Sequence, residues 1–247
     1  MQVVTRALDV LKTIAMSEAP LSLAETSALL DLPAPTVHRF LAVLTEAGYV
    51  TKDDLTRRYA TGPELDAITR RSSLARIGKL AEPVLADLHG RYDETVFLTQ
   101  KEGDDAVATS ALVSTRPLRL TVHVGQVLPW HAAASARSLL AYLPENAATP
   151  LLDASGFSRF TFNTPQSADD VREHLKNVRL RGYDICDDEL DSGVWAAASP
   201  ILDARGTVLG SVTVGGPGDR IDDTLRASII ADVQSAAKSV SDALGNA

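Results

Sequence analysis

The residues best suited to chemistry fall in four places in this chain. Thr36, His38 and Arg39 sit within four positions of one another in LPAPTVHRFLAVLTEAGYV, residues 32–50, and offer a hydroxyl, an imidazole and a guanidinium. That set suits hydrogen bonding to base edges and phosphates. Arg57 and Arg58 form an adjacent cationic pair suited to phosphates. His131 and Ser135 stand at i, i+4 spacing, which lets a base meet a hydroxyl on one helix face. Cys186 precedes Asp187, Asp188 and Glu189. A thiol beside carboxylates resembles a cation site on paper, but one cysteine and a run of adjacent acids suit a capped or solvated turn better.

The catalytic alternatives are thin. There is no phosphate-binding P-loop, no G-x-S-x-G, no H-E-x-x-H and no dinucleotide fingerprint. A Ser–His pair with no third group to orient the histidine is more often structural, so no catalytic residue, metal ligand or cofactor is assigned. The single cysteine excludes a disulfide framework within the chain and fits a reducing compartment. No apolar run approaches the roughly 18 residues that span a bilayer, and the N-terminus lacks a signal-peptide pattern. The reading is a cytoplasmic protein without a membrane partner. The net charge of −8 excludes a generic polyanion binder, and residues 1–75 are close to neutral.

The elements that must carry these residues follow from periodicity. Val4, Ala7, Leu8, Leu11 and Ala15 give one amphipathic helix over 3–16, which Pro20 closes off. Ser22 and Glu25 form a capping box for a second helix over 23–30. Pro35 suits the first position of a third helix, whose stripe Val37, Phe40, Leu41 and Leu44 turns inward. Thr36, His38, Arg39 and Ala42 therefore face elsewhere. Gly48 ends that helix, and Tyr49–Lys52 and Arg58–Thr61 read as a hairpin. Three short helices and a hairpin make a winged helix-turn-helix. Its third helix would lie in a DNA major groove, with Arg57 and Arg58 of the hairpin near phosphates. A winged helix that binds protein instead remains open on pattern alone.

Beyond the hairpin, Leu65, Ile68, Leu74, Ile77 and Leu80 mark a helical connector, and Pro83 is expected to start a new helix ending near Gly90. From Thr95 the period shortens. TVFLTQ, AVATSALV and LRLTVHV read as strands, followed by a helix over about 132–143 and another over 167–181 that stops at Gly182. Then come the strands YDIC, AAASPIL and VLGSVTVGG and a last helix over 222–244. The fold class is α+β with a largely antiparallel sheet. The domains expected are 1–63, a DNA-binding winged helix; 64–78, a helical linker; and 79–247, an effector-binding and oligomerisation domain.

Several segments resemble one family. RALDVLKTIA, LSLAETSALLDLPAPTVHRFLAVLTEAGYV and RRYATG are similar to the N-terminal domain of IclR-family transcriptional regulators. GQVLPWHAAASARSLLAYL and RGYDICDDELDSGVWAAASPILDARGTVLGSVTVGGP are similar to its C-terminal domain. The family often has Gly, Lys and Ser where this chain has Asp31, Ala34 and Pro35, and a Gly-Lys pair where it has Ala136 and Arg137. The resemblance implies a GAF-like effector domain, a double-stranded DNA operator as partner, and a homodimer or dimer of dimers. It implies an effector cavity at Leu128, Ala134, Ser135, Cys186, Ala196, Thr213 and Gly215. Trp130 and Trp195 flank those positions in sequence, and Trp130 is added to the set. Some relatives that bind very small oxo-acids have an acid and a thiol where this chain has Cys186 and Ala196. The expected cavity is therefore larger and less polar, and suits a small organic carboxylate with an apolar or aromatic body.

Overall fold

The computed structural model describes residues 2–245, and side chains for residues 3–68 and 74–245. The outermost limits expected for the first and last domains, residue 1 and residues 246–247, lie outside it. The chain divides into two compact units, Met1–Ser73 and Leu74–Ala247.

The first unit holds α1 (Gln2–Ala15), α2 (Leu23–Leu30), α3 (Ala34–Glu46) and an antiparallel hairpin of β1 (Val50–Lys52) and β2 (Tyr59–Thr61). Val10, Ile14, Val37, Phe40, Leu41, Val50 and Tyr59 form its core. Each large side chain buried there contributes roughly 1.5–3 kcal/mol. The capping box is formed: the Glu25 amide donates to Ser22 Oγ at 3.2 Å, and the Ser22 amide to Glu25 Oε2 at 2.7 Å. Asp31 closes α2 in the left-handed region (φ 50°), and the Leu32 amide reaches back to the Ser27 carbonyl at 3.2 Å. Pro35 occupies the second rather than the first position of α3, because Ala34 already has helical geometry; its absent N–H still costs nothing there. In the hairpin turn, Asp53 Oδ1 accepts from the Leu55 and Thr56 amides at 2.9 and 2.7 Å, and Arg57 takes φ 54°.

The connector differs from expectation. One helix, α4 (Pro63–Tyr92), runs through Pro83 without a break. Pro83 and Lys79, whose carbonyl loses its partner, are both exposed, so water satisfies the freed group.

The second unit is built on a six-stranded antiparallel sheet of order β5-β4-β3-β8-β7-β6. The strands are β3 (Thr95–Glu102), β4 (Asp105–Leu112), β5 (Val127–Leu128), β6 (Asp184–Asp187), β7 (Val194–Leu202) and β8 (Val208–Pro217). The helices are α5 (Ala134–Leu140), α6 (Glu145–Asp153), α7 (Ala168–Arg181) and α8 (Asp223–Gly245). Period-two alternation sends residues of one strand to opposite faces. Trp195 and Ala197 join α8 and the second half of α4 in one core, with Ile77, Leu85, Leu88, Ile229 and Val233. Ala196 and Ala198 pack on the other face against Ala134 and Cys186. Small residues on both partners bring α5 close to the sheet, where Ser211 Oγ donates to the Ser135 carbonyl at 3.0 Å.

Two further expectations change. Residues 118–124, LRLTVHV, form no strand. Their alternation holds only at the centre, where half-buried Leu120 and buried Val122 turn inward between exposed Arg119, Thr121 and His123; Leu118 and Val124, in phase with them, are exposed, and the segment crosses a face of the domain with no ladder partner. Helix α6, which buries Leu151 and Leu152, falls where the sequence reading places no element; Pro150 inside it argues against a helix on pattern alone.

Candidate functional site

Two sites emerge, one in each unit. In the first, α3 buries Val37, Phe40 and Leu41 and leaves His38, Arg39, Ala42 and Val43 in solvent, with Thr36 half-buried. The apolar stripe fixes the helix rotation, and rotation alone turns the polar set outward. The two hairpin arginines separate. Arg57 is exposed, whereas Arg58 is tied down: Nη1 donates to Glu25 Oε2 at 3.0 Å and to the Pro20 carbonyl at 2.6 Å, and Nη2 to Glu25 Oε1 at 3.2 Å. Hydrogen bonds from Ser22 and then Arg58 hold the Glu25 carboxyl down at about 2. Arg58 thus braces the hairpin against α2.

In the second unit a small, partly open cavity of about 40 Å³ lies between the sheet and α5. Leu128, Ala134, Ser135, Cys186, Ala196 and Thr213 all line it, so six of the eight expected positions come together. Gly215 stands just behind the wall: a Cβ there would lie 2.9 Å from Leu120 Cδ2 and 3.0 Å from Ala196 Cβ. Trp130 does not line this cavity. Its Nε1 donates to the Asp104 carbonyl at 2.9 Å, and it borders a separate groove with Lys101, Pro150 and Leu151. Trp195 is buried on the opposite face of the sheet, under Arg226. The cavity is apolar as expected but not large, because Leu120, Val122, Leu190 and Val194 close in on it.

The polar features of the cavity are specific. Ser135 Oγ and Thr213 Oγ1 are buried and have no hydrogen-bond partner. Orphaned buried hydroxyls are costly, about 1–3 kcal/mol each, and rarely persist without a use. Burial pushes the Cys186 thiol up to about 11, so it is neutral near pH 7 while the cavity keeps its present form. No side chain caps the start of α5.

Sequence reasoning missed the groups that hold this wall in place. Arg137 on α5 is fully buried. Its Nε donates to Asp184 Oδ2 at 2.7 Å, Nη2 to the Ile185 carbonyl at 2.8 Å, and Nη1 to the His131 carbonyl at 3.1 Å and to Glu189. Asp184 is equally buried and also meets His174 Nε2 at 2.5 Å. Burial pushes the Asp184 carboxyl up, but Arg137 and His174 more than offset this and hold it below its ordinary value. The Glu189 carboxyl is raised, because burial outweighs Arg137 there. The available signal was a lone arginine inside the otherwise apolar and small-residue run AAASARSLLAYL.

The remaining candidates have structural partners. His131 lies in a turn before α5, its Nε2 3.0 Å from the Ser158 carbonyl and its ring stacked on Phe160, with no hydrogen bond to Ser135. Asp187 pairs with Arg226 at 2.8 Å, and Asp188 Oδ1 accepts from the Gly193 amide at 2.6 Å. Among the described residues no group of His, Cys, Asp or Glu is placed to hold a metal ion, and no helix is long and apolar enough to cross a membrane.

Comparison with known proteins agrees across both units. The IclR helix-turn-helix domain matches residues 3–54, and the bacterial transcriptional regulator IclR C-terminal domain matches residues 70–242. The transcriptional repressor IclR of Escherichia coli (strain K12) is 29% identical over 247 residues, covering 99% of this chain and 90% of the repressor. The HTH-type transcriptional regulator BhcR of Paracoccus denitrificans is 30% identical over 240 residues, covering 96% of this chain and 85% of that one. A solved structure of a Rhodococcus sp. protein described as an IclR-family transcriptional regulator matches with a TM-score of 0.76 at 26% identity, covering 99% of this chain and 94% of that one. These relatives are regulators rather than enzymes. With both domains matched in order over most of its length, the chain belongs to the IclR family of DNA-binding bacterial transcriptional regulators.

Proposed function

We propose that this protein is a one-component cytoplasmic regulator that reads a pseudo-palindromic operator as a homodimer or dimer of dimers, under the control of a small organic effector. In this reading Arg39, His38 and Thr36 on the exposed side of α3 meet base edges and nearby phosphates, and Arg57 meets the backbone. Arg58 acts one step removed, by holding the hairpin. The effector occupies the cavity of Leu128, Ala134, Ser135, Cys186, Ala196 and Thr213. The observation that carries the effector assignment is the pair of buried hydroxyls, Ser135 Oγ and Thr213 Oγ1, with no partner inside the protein. Two hydroxyl donors beside an uncapped helix start suit a carboxylate, and the apolar remainder of the wall suits a compact organic body.

The reading is tested with a gel shift on genomic fragments, beginning with the DNA upstream of the protein's own gene, at two salt concentrations. Sequence-specific binding that weakens steeply with salt is expected, because phosphate contacts release counterions. Arg39→Ala should cost about 1–3 kcal/mol on the selected fragment. Absence of binding to any fragment at low salt would replace DNA by protein as the partner of the winged helix. The selected fragment then allows organic acids to be screened for a shift in affinity.

A further inference from the structure

The cavity as it stands is too small for an organic effector. About 40 Å³ falls far short of the roughly 300–1,000 Å³ of small-molecule sites. One wall must therefore move. The sheet is held by its ladders, and α5 is pinned by the buried Arg137–Asp184 pair. Two segments without ladder bonds complete the wall: 188–193, which inserts Leu190 and is tied down by Thr161, Thr164 and Arg137 through Asp188 and Glu189, and 116–124, which inserts Leu120 and Val122 and has no such bonds to α5 or its neighbours. Leu120 lies over Gly215 of β8, where a Cβ would come within 2.9 Å of its Cδ2. Its withdrawal would open a space on the order of 100–150 Å³, the scale of a leucine-truncation cavity.

What anchors that segment is concentrated in one place. The Leu120 carbonyl accepts from Thr95 Oγ1 at 2.5 Å. Arg116 donates through Nε to Asp93 Oδ2 at 3.2 Å, through Nη1 to Glu94 Oε1 at 3.4 Å and through Nη2 to the Tyr92 carbonyl at 3.3 Å. Ser114 Oγ donates to the Asp93 carbonyl at 2.7 Å. All these partners fall within residues 92–95, where α4 ends and β3 begins. Asp93 sits there in the left-handed region (φ 47°), which favours glycine and is strained for an aspartate. The other end of α4, Pro63, directly follows the hairpin strand β2.

We propose that residues 116–124 are a strap whose Leu120 plugs the effector cavity, and that Arg116 carries its displacement to the end of α4. This rests on the cavity being the effector site. Ligand entry expels Leu120, pulls the strap against its anchors at 92–95, and changes the state of the helix that leads to the winged unit. The strap is the element that both arrangements must share, and the ligand biases it by filling the space that Leu120 vacates.

The sole cysteine lines the cavity, so it reports the strap directly. Methyl methanethiosulfonate converts the Cys186 thiol to a methyl disulfide and releases methanesulfinic acid. Its rate on the native full chain, followed by mass spectrometry, measures opening. Leu120→Ala and Arg116→Ala should label about tenfold faster than wild type, the change produced by roughly 1.4 kcal/mol of lost strap closure. Leu118→Ala, which alters an exposed side chain of the same segment, should label like wild type. Equal rates in all four proteins would overturn the strap. The labelled protein tests the coupling, because the added methylthio group occupies the cavity. Labelled wild type should change its affinity for the selected DNA fragment several-fold, and labelled Arg116→Ala should not. An equal change in both would overturn the role of Arg116 and leave the effector site standing. No change in labelled wild type would remove the effector site itself, and the strap with it. If Arg116→Ala does not fold, Thr95→Val, which deletes the bond to the Leu120 carbonyl, serves the same comparison.

Discussion

Replacing Arg137 by methionine tests whether the buried ion pair holds the cavity wall. Methionine keeps most of the volume and removes the charge. Asp184 then keeps His174, Arg181 and its neighbouring amide but loses its main counter-charge, and the carbonyls of His131 and Ile185 lose a donor. Removing one partner of a buried pair costs about 3–5 kcal/mol, and the surviving partners of Asp184 place this case near the lower end. That is a large part of the 5–15 kcal/mol typical of a domain. Both tryptophans, Trp130 and Trp195, lie in the second unit, so urea unfolding followed by tryptophan fluorescence reports this unit alone. The loss must also depend on pH. In the wild type the Asp184 carboxyl is lowered, so its contribution is present above the ordinary value of 3.8 and is lost as pH falls through the folded value. In the variant burial acts with less opposition and raises the carboxyl, so stability rises as pH falls. The gap between the two proteins should therefore be widest near pH 7 and narrow towards pH 4.5. A loss below about 1 kcal/mol, or a gap of the same size at both pH values, would refute the claim that this pair organises the wall.

Three further outcomes follow from the same geometry. Gly62→Ala would put a Cβ 2.2 Å from the Gly48 carbonyl oxygen, so the first unit should lose several kcal/mol or fail to fold, visible as lost helical circular dichroism and lost DNA binding. Thr213→Val replaces an unpartnered buried hydroxyl by a methyl group, so the ligand-free second unit should be unchanged or more stable by about 1–2 kcal/mol in thermal unfolding, while effector affinity drops. Asp31→Gly suits the left-handed φ of 50° and removes a negative charge just ahead of α3; the selected DNA fragment should bind several-fold tighter at low salt and less so at high salt, and an unchanged affinity would place Asp31 away from the phosphates.

Much of the molecule was legible because local rules govern it. The stripe Val37, Phe40, Leu41 and Leu44 set the rotation of α3, and the Ser22–Glu25 pair set the start of α2. The α+β class followed from the change of period near Thr95. Other features were not legible, each for a reason. Pro83 reads as a helix start, but an exposed proline is tolerated inside a long helix when water takes the freed carbonyl. Residues 118–124 read as a strand because any half-buried extended segment alternates, whether or not it has a ladder partner. The bond from Arg58 to Glu25 could not be read because sequence shows the charge and not the carboxylate that meets it from α2.

The residues by themselves determined most of the elements and the exposed polar side of α3, whereas the positions from Leu128 to Thr213 that surround the cavity came from the resemblance to a family. Periodicity and capping act over a few residues, so they can be read along the chain. Only the tertiary structure decided how large the cavity is, that Arg137 meets Asp184 across 47 positions, and that Leu120 closes the space from a segment gripped by residues 92–95. Those facts depend on which side chains from distant segments arrive at one point. No local pattern encodes that, because it is settled by packing the whole domain at once.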